Sequence, residues 1–422
     1  MKKWQLILAL LSFTLAPTLV VANTETQAFP AKAAPDKQKT RWDVEWDFVS
    51  NFNKEVHLLR IVKAAFTYQS ADGQTKTINV VRNLQLVEAL APYDDNITFY
   101  ADLATKDRAD KTVAAAEKLL GPPCVAMPAV VAWSGNKNYK IFREVHDDGI
   151  RWMKGHGNNV GYRGEKLVLA SIFQAVNYVY IMEYNFTDDG RVVTRLGFTA
   201  HNYFRRGKGR GNVKDGDVHL HVGSWRMEFD LSEAKADGAG GPTKNDYRLI
   251  SRRRVGNRFA VVDEPFGSEG GNAAKEGSAL WKAEEFTTLR VHSTEVKNAH
   301  FRPVSYDLIP SRMGSVRDVR GYGDLAGMSK EQMEFVNSDF WLTVTNPQRT
   351  FFHTLVREAA NKRELKNQPV TVWYSAPGIH VPRGEDFGPD GANQEEGVAL
   401  TTWIDFTLRP RDLFDSTPLY GK

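Results

Sequence analysis

Residues 171–200 read SIFQAVNYVYIMEYNFTDDGRVVTRLGFTA, and the pattern within this stretch decides the fold class. An apolar and aromatic run reaches a turn at Asp189-Gly190, after which a second run of strand-forming residues begins. Because Asp-Gly between two such runs is a strong hairpin signal, we predict two antiparallel strands. Alternate side chains of a strand share a face, so Tyr178 and Tyr180 should lie on the same side.

The rest of the chain repeats this pattern of short strands separated by turns. Residues 42–48 alternate strictly between apolar and polar side chains, which indicates a half-buried strand. Two segments, 84–90 and 106–120, are instead predicted as short helices. Many strands and few helices predict a mostly β protein, an antiparallel β-sandwich with few short helices.

The chain divides into a leader and one domain. Lys2 and an apolar run over 6–15, closed by small residues, are typical of a signal peptide over 1–22, so we expect a secreted or periplasmic protein. A flexible leader is predicted over 23–40 and a single domain over 41–422. Apart from the signal peptide, no apolar run approaches the roughly 20 residues of a spanning helix, so no membrane span is expected.

Composition excludes some classes of function. The net charge of +4 over 422 residues is mild and gives no reason to expect nucleic-acid binding. The lone Cys124 excludes an internal disulfide and a thiolate metal cluster. Packing must therefore stabilise the core.

Three histidines suggest a metal site. His219 and His221 are two residues apart on a predicted strand, so both imidazoles face the same way with Cα atoms about 7 Å apart. A third histidine, His380, follows much later in the chain. Three neutral imidazoles suit copper, zinc, iron or nickel, and residue chemistry alone leaves that choice open.

These motifs together resemble a known family. The Asn-Tyr-x-Tyr of 177–180, the His-x-His of 219–221 and the His-x-Pro-Arg-x-Glu-Asp of 380–386 are similar in kind, order and spacing to motifs of the copper amine oxidases. The resemblance implies that the three histidines bind copper and that Tyr178 is converted to topaquinone. It also implies the fold of that family's catalytic domain over 41–422.

The same resemblance assigns supporting residues. A Pro-Tyr-x-Asp element followed by Tyr-x-Asp points to Asp102 as the catalytic base, with Tyr100 beside the substrate channel and Tyr93 hydrogen-bonded to the quinone. Asn177 would fix the orientation of the ring derived from Tyr178. A base at Asp102 would gain from a pKa raised by burial.

The chain departs from the family pattern at several positions. Val179 replaces the usual acidic residue after the modified tyrosine, and Gln174 replaces a threonine. Glu228 and Asp230 stand where the family often has a peripheral calcium site, but Pro369 occupies the place of the distal acid. Calcium is therefore not expected.

The resemblance implies an exported copper- and topaquinone-dependent primary amine oxidase that consists of the catalytic domain and forms a homodimer. It would convert a primary amine, oxygen and water into an aldehyde, ammonia and hydrogen peroxide. Two alternatives remain. The first keeps copper but leaves Tyr178 unmodified and carries out a different reaction in a biosynthetic pathway; the second is a non-catalytic metal-binding β-sandwich.

Overall fold

The computed structural model describes residues 23–31, 39–50, 57–92, 99–101, 130–132, 140–154, 160–175, 178–200, 218–234, 244–268, 270–311, 334–346, 355, 359–383, 386 and 399–416. Every structural statement below concerns these residues. The predicted signal peptide over 1–22 and the predicted helix over 106–120 lie outside them.

Strands dominate the described residues. They are β1 (Asn23–Phe29), β2 (Thr40–Ser50), β3 (His57–Gln69), β4 (Thr75–Pro92), β5 (Phe99–Ala101), β6 (Val130–Ala132), β7 (Lys140–Lys154), β8 (Val160–Ala175), β9 (Tyr178–Thr187), β10 (Val192–Ala200), β11 (His219–Glu233), β12 (Asn245–Val255), β13 (Arg258–Pro265), β14 (Gly277–Ala279), β15 (Thr288–Lys297), β16 (Pro303–Ser311), β17 (Phe340–Val344), β18 (Val370–His380) and β19 (Ala399–Arg411). Two short 3₁₀ helices span Ala283–Glu285 and Glu334–Asn337.

The strands form two antiparallel sheets. Sheet A has nine strands in the order β1-β2-β3-β4-β11-β18-β17-β14, with β5 paired to β4. Sheet B has ten strands in the order β13-β12-β15-β16-β19-β10-β9-β8-β7-β6. The predicted antiparallel β-sandwich with few short helices is confirmed.

Aromatic side chains fill the space between the sheets. Trp42 of sheet A lies 4.9 Å from Phe66 of the same sheet and 5.2 Å from Phe186 of sheet B, measured between ring centroids. The indole Nε1 of Trp42 donates to the carbonyl oxygen of Thr187 at 2.7 Å, so a polar atom in this buried layer is also paired. Burial of such large apolar surfaces is what holds the two layers together.

The predicted hairpin is confirmed as β9 and β10 over 178–200, whereas residues 171–175 belong to β8, the antiparallel neighbour of β9. Val192 lies opposite Phe186 in the ladder, and the amide of Gly190 donates to the carbonyl of Thr187 at 3.0 Å. Gly190 has φ of 85°, a conformation that costs glycine little and other residues much more. Tyr178 is the first residue of β9, at the end of the strand far from this turn.

Two expectations from the sequence differ from the structure. Residues 84–90 are not helical but belong to β4, because β3 and β11 flank that strand and its leucines are buried between the layers. This packing overrides the weak helix preference of Leu, Glu and Ala. The predicted flexible leader begins as β1, which pairs along its whole length with β2. The alternation in 23–29 therefore indicates an edge strand.

Candidate metal centre

The two adjacent strands β11 and β18 carry the three histidines. His219 at the start of β11 lies directly opposite His380 at the end of β18, and His221 lies opposite Gly378. All three imidazoles are buried. The spacing that places His219 and His221 on one face of a strand is confirmed, and the antiparallel register supplies the third histidine.

The donor nitrogens of the three imidazoles converge. Nε2 of His219 lies 3.0 Å from Nε2 of His221 and 3.3 Å from Nδ1 of His380. Two nitrogens bound about 2.0 Å from one ion at angles near 90–110° are separated by about 3 Å. The observed spacing thus fits a single transition-metal ion, and the all-nitrogen donor set suits copper.

Burial also sets the protonation state that a metal needs. The pKa of His221 is well below its ordinary value, chiefly because burial disfavours the cation and secondarily because His219 and His380 are close. Burial likewise lowers the pKa of His380, against the opposing effect of Asp386. Neutral imidazoles are the form that binds metal.

Tyr178 reaches this centre from the opposite sheet. Its hydroxyl oxygen lies 2.7 Å from Nε2 of His219 and 3.2 Å from Nδ1 of His380. Its ring centroid is 4.4 Å from that of His221, in an edge-on arrangement. The phenol is therefore within reach of an ion held by the three histidines, as the motif spacing predicts.

A carboxylate supports His380 on the side away from the other ligands. Nε2 of His380 lies 3.3 Å from Oδ2 of Asp386, whose carboxylate also accepts from the backbone and guanidinium N–H groups of Arg383 at 2.9 and 3.1 Å. Burial opposes ionisation of Asp386, but these hydrogen bonds outweigh it and lower the pKa. An ionised Asp386 fixes the proton on Nε2 and leaves Nδ1 of His380 to bind metal.

Sequence reasoning missed three residues of this centre. Asp386 stands inside the late histidine motif, so the motif itself was the signal that could have found it. Tyr180 and Phe198 contact His221, as described below. The predicted hairpin places Phe198 beside Tyr180, but no local pattern indicates that Phe198 packs across the sandwich against His221.

Several predicted site residues lie beyond the described ranges. Tyr93, Asp102 and Asn177 are among them. Tyr100 is part of β5, opposite Ala91 of β4. Val179 is buried, and by strand alternation it lies on the opposite face of β9 from Tyr178. The loss of an acidic residue there therefore leaves the histidine side of the strand unchanged.

The acidic pair expected at a peripheral calcium site is held by arginines. Asp230 is fully buried and forms an ion pair with Arg82. The carboxylate of Glu228 accepts from Arg226 Nη2 at 2.8 Å and from Asn83 Nδ2 at 3.1 Å. Guanidinium groups supply the positive charge that a calcium ion would bring, so this pair does not fit a calcium site.

Comparison with known families agrees with this geometry. Residues 34–421 match the family model described as "Copper amine oxidase, enzyme domain". The primary amine oxidase of Klebsiella aerogenes is 23% identical over 308 residues, which are 63% of this chain and 37% of that protein. A peroxisomal copper-containing amine oxidase of Arabidopsis thaliana is 23% identical over 286 residues, 60% of this chain and 38% of that protein. The chain thus matches less than two fifths of the length of either relative.

Solved structures show the same fold. The copper-containing benzylamine oxidase of Hansenula polymorpha superposes with a TM-score of 0.60 at 15% identity, covering 85% of this chain and 60% of that one. The amine oxidase of Aspergillus nidulans superposes with a TM-score of 0.52 at 12% identity, covering 94% and 69%. With three converging histidines, a neighbouring tyrosine and a family match along nearly its whole length, the chain belongs to the copper amine oxidases.

Proposed function

We propose that this protein is a copper-dependent primary amine oxidase whose quinone cofactor, topaquinone, forms from Tyr178. One observation carries the proposal: the Tyr178 hydroxyl lies 2.7 and 3.2 Å from the donor nitrogens of His219 and His380. A phenol so close to a metal's ligands is placed for oxidation at that metal. The family match supports the same assignment.

His219, His221 and His380 would hold the copper ion through the nitrogens that already converge. When present, copper supplies the one-electron oxygen chemistry that modifies the tyrosine, and the quinone supplies an electrophilic carbonyl for a primary amine. The protein's own residues keep the site buried. Tyr178 is 2% exposed, so bulk water has little access to its ring.

Strand pairing would hold the ring of Tyr178 in place. At the start of β9, Tyr178 pairs with Ala175 of β8 on one side and with Ala200 of β10 on the other. Backbone pairing on both sides fixes the Cα position of Tyr178. A rigid support of this kind keeps a reacting group within a fraction of an ångström of its required position.

We assign the role of general base to Asp102, which would remove the proton from the α-carbon of the amine. The chain reaches the metal end of sheet A just before this residue. Ala101 of β5 pairs with Leu90 of β4, and Leu90 pairs with Val222, the neighbour of His221. This path supports the assignment, as does the Tyr-x-Asp motif.

Quinone detection tests the proposal directly. Full-length protein loaded with copper in air should stain in a redox-cycling quinone assay and form a coloured adduct with phenylhydrazine at the Tyr178 peptide. The variant Y178F, which keeps the ring but lacks the hydroxyl, should do neither. Copper-loaded wild type without stain or adduct would exclude the oxidase and favour the alternative in which Tyr178 stays a phenol.

A second assay separates the enzyme from a non-catalytic metal-binding sandwich. A panel of primary amines is offered to the copper-loaded protein, and hydrogen peroxide and ammonia are measured. Wild type should release both with at least one amine, whereas D102N should lose most of this activity and still stain for quinone. Quinone formation without turnover of any amine would contradict the assignment as an oxidase.

Export and assembly are further parts of the proposal. Cleavage of a signal peptide after residue 22 would leave β1, which begins at Asn23, as the start of the mature chain. Mass spectrometry of the secreted protein should find that N-terminus.

A homodimer is proposed from the family alone. Analytical ultracentrifugation of the copper-loaded protein should give twice the mass of the chain. Among the described residues, no helix has the length and apolar character to cross a membrane.

A further inference from the structure

Two of the proposed copper ligands have different partners: His380 has the carboxylate of Asp386, and His221 has a phenol. The hydroxyl oxygen of Tyr180 lies 3.3 Å from Nδ1 of His221, on the opposite side of the imidazole from the converging nitrogens. If Nε2 binds a metal, the proton of the neutral ring must sit on Nδ1. Nδ1–H then donates to the oxygen of Tyr180, which selects that tautomer.

A second aromatic residue fixes the plane of the same imidazole. The ring of Phe198 stacks on His221 with centroids 3.8 Å apart and planes 25° apart. Phe198 is the ladder partner of Tyr180, whose other partner is Phe173. Tyr180 also stacks on Phe173 at 4.9 Å and 12°. A row of three aromatic rings across β8, β9 and β10 therefore faces His221.

Glycine on the opposite sheet makes room for this row. Gly378 is the ladder partner of His221, and a Cβ atom there would lie 2.5 Å from Ile404 Cγ2 and 3.3 Å from Phe198 Cζ. Any larger residue would push against the ring that stacks on His221. The close approach of Phe198 to His221 therefore depends on Gly378 in sheet A as well as on the position of Phe198 in sheet B.

We propose that Tyr180 and Phe198 are positioning residues for the metal ligand His221: Tyr180 selects the nitrogen that binds the ion, and Phe198 sets the plane of the ring. This inference rests on the proposed copper site but not on the oxidation of Tyr178. Both residues act through His221, so their effect should be seen in the metal centre before any amine is added.

The variant Y180F tests the hydrogen bond while keeping the stacked ring. In Y180F, a proton on Nδ1 of His221 would be buried without its acceptor, which favours the other tautomer, whose Nε2 carries a proton and cannot bind metal. Loss of such a partner typically lowers metal affinity about 10–100-fold. Copper affinity of metal-stripped full-length protein should fall by about that factor, measured by competition with a chelator under nitrogen, where Tyr178 stays unoxidised.

Y184F is the matched control. Tyr184 lies on the same face of β9, is equally buried, and donates its hydroxyl to the carbonyl of Leu59 at 3.1 Å, away from the histidines. Y184F should keep the wild-type copper affinity. The copper(II) paramagnetic resonance spectrum should change in Y180F and F198L and stay the same in Y184F, while melting of the metal-free proteins checks folding.

The outcomes separate this inference from the proposed function. Equal copper affinities and spectra for wild type and Y180F overturn the positioning role, even if quinone forms. An equal loss in Y184F also overturns it, because removal of a buried hydroxyl would then suffice. A wild type that binds copper but never forms quinone ends the oxidase proposal, and the affinity comparison still decides the role of Tyr180. A wild type that binds no copper ends both.

Discussion

Individual side chains give two of the proposed ligands, His380 and His221, distinct environments. His380 faces the buried carboxylate of Asp386, whereas His221 faces the neutral hydroxyl of Tyr180. A carboxylate partner makes an imidazole more basic and a stronger donor than a phenol partner does. His380 is therefore expected to donate more electron density to the metal than His221 does.

The variant D386N measures the effect of that carboxylate. An amide in its place carries no charge to favour a proton on Nε2 of His380, so copper affinity should fall about 10–100-fold. Competition with a chelator measures the affinity. D263N is a suitable control, because the carboxylate of Asp263 is partly exposed and pairs with Arg248 on the surface. An unchanged affinity in D386N would show that Asp386 serves Arg383 alone.

For individual residues, the sequence predicted the four side chains that converge but not the side chains that contact and orient them. His219, His221, His380 and Tyr178 were found because family motifs and strand alternation mark them. Phe198 could not be found, because its contact with His221 depends on which strands lie opposite each other across the sandwich. Such contacts join residues whose separation along the chain has no pattern of its own.

Among the elements, the turn between β9 and β10 contains a buried acid. The carboxylate of Asp188 accepts from the hydroxyl of Tyr162 at 2.5 Å and from the amide of Glu165 at 2.8 Å. Burial nevertheless raises the pKa of Asp188 to about 6. The turn that starts the hairpin thus holds its proton more tightly in the folded than in the unfolded chain.

Stability should consequently depend on pH through Asp188. Because its folded pKa lies above the unfolded value, its stabilising effect is present below about pH 4, is lost as pH rises to about 6, and stays lost above that. Relative to D188N, the wild type should lose about 3 kcal/mol of unfolding free energy across this interval. Urea unfolding at several pH values measures the difference. Parallel pH curves for the two proteins would contradict the assignment.

The pairing of β4 with β11 places Arg82 beside the acidic pair Glu228 and Asp230. Arg82 lies across from Glu228 in the ladder and forms an ion pair with the buried Asp230. R82Q should lower the unfolding free energy by about 1–3 kcal/mol, because it leaves a buried carboxylate without its charge partner. R41Q, which breaks a more exposed pair with Asp43, should cost less than about 1 kcal/mol.

Calcium itself should have no effect on the wild type. With the acidic pair already neutralised, the melting temperature should be the same in excess calcium and in excess chelator. A rise in melting temperature with calcium would show that the arginines are displaced.

The segments 84–90 and 23–29 differ from the sequence-based expectation for the same reason. Each is a strand because it pairs with neighbouring strands, which its own composition does not indicate.

For the whole molecule, copper should act as a ligand of the folded state only. His219 and His380 come together through the pairing of β11 with β18, which the unfolded chain lacks. Copper at about a thousandfold excess over its dissociation constant should add about 4 kcal/mol to the unfolding free energy. Melting curves with and without copper should show this rise in the wild type and in H146A, but not in H380A. His146 is a suitable control because it is an exposed histidine of β7 that pairs with Glu144. An equal rise in H380A would place copper elsewhere.

The fold class was predictable at this scale, whereas the sheet order was not. Alternation and turn signals indicate strands and a sandwich. They do not indicate that β4 pairs with β11, or β11 with β18, because those pairings close long stretches of chain and leave no local mark. The histidine motifs alone indicated that β11 and β18 lie close together, because histidines that share one ion must lie on neighbouring segments.

The division of the centre between the two sheets also has a consequence for the maturation of the protein. The proposed copper ligands stand on sheet A and the ring to be oxidised on sheet B. A nascent or misassembled chain with the layers apart would bring no phenol to its copper and would acquire no reactive carbonyl. Formation of the cofactor would then require correct folding. The quinone content per chain would therefore measure the fraction of molecules in which the two sheets have packed together.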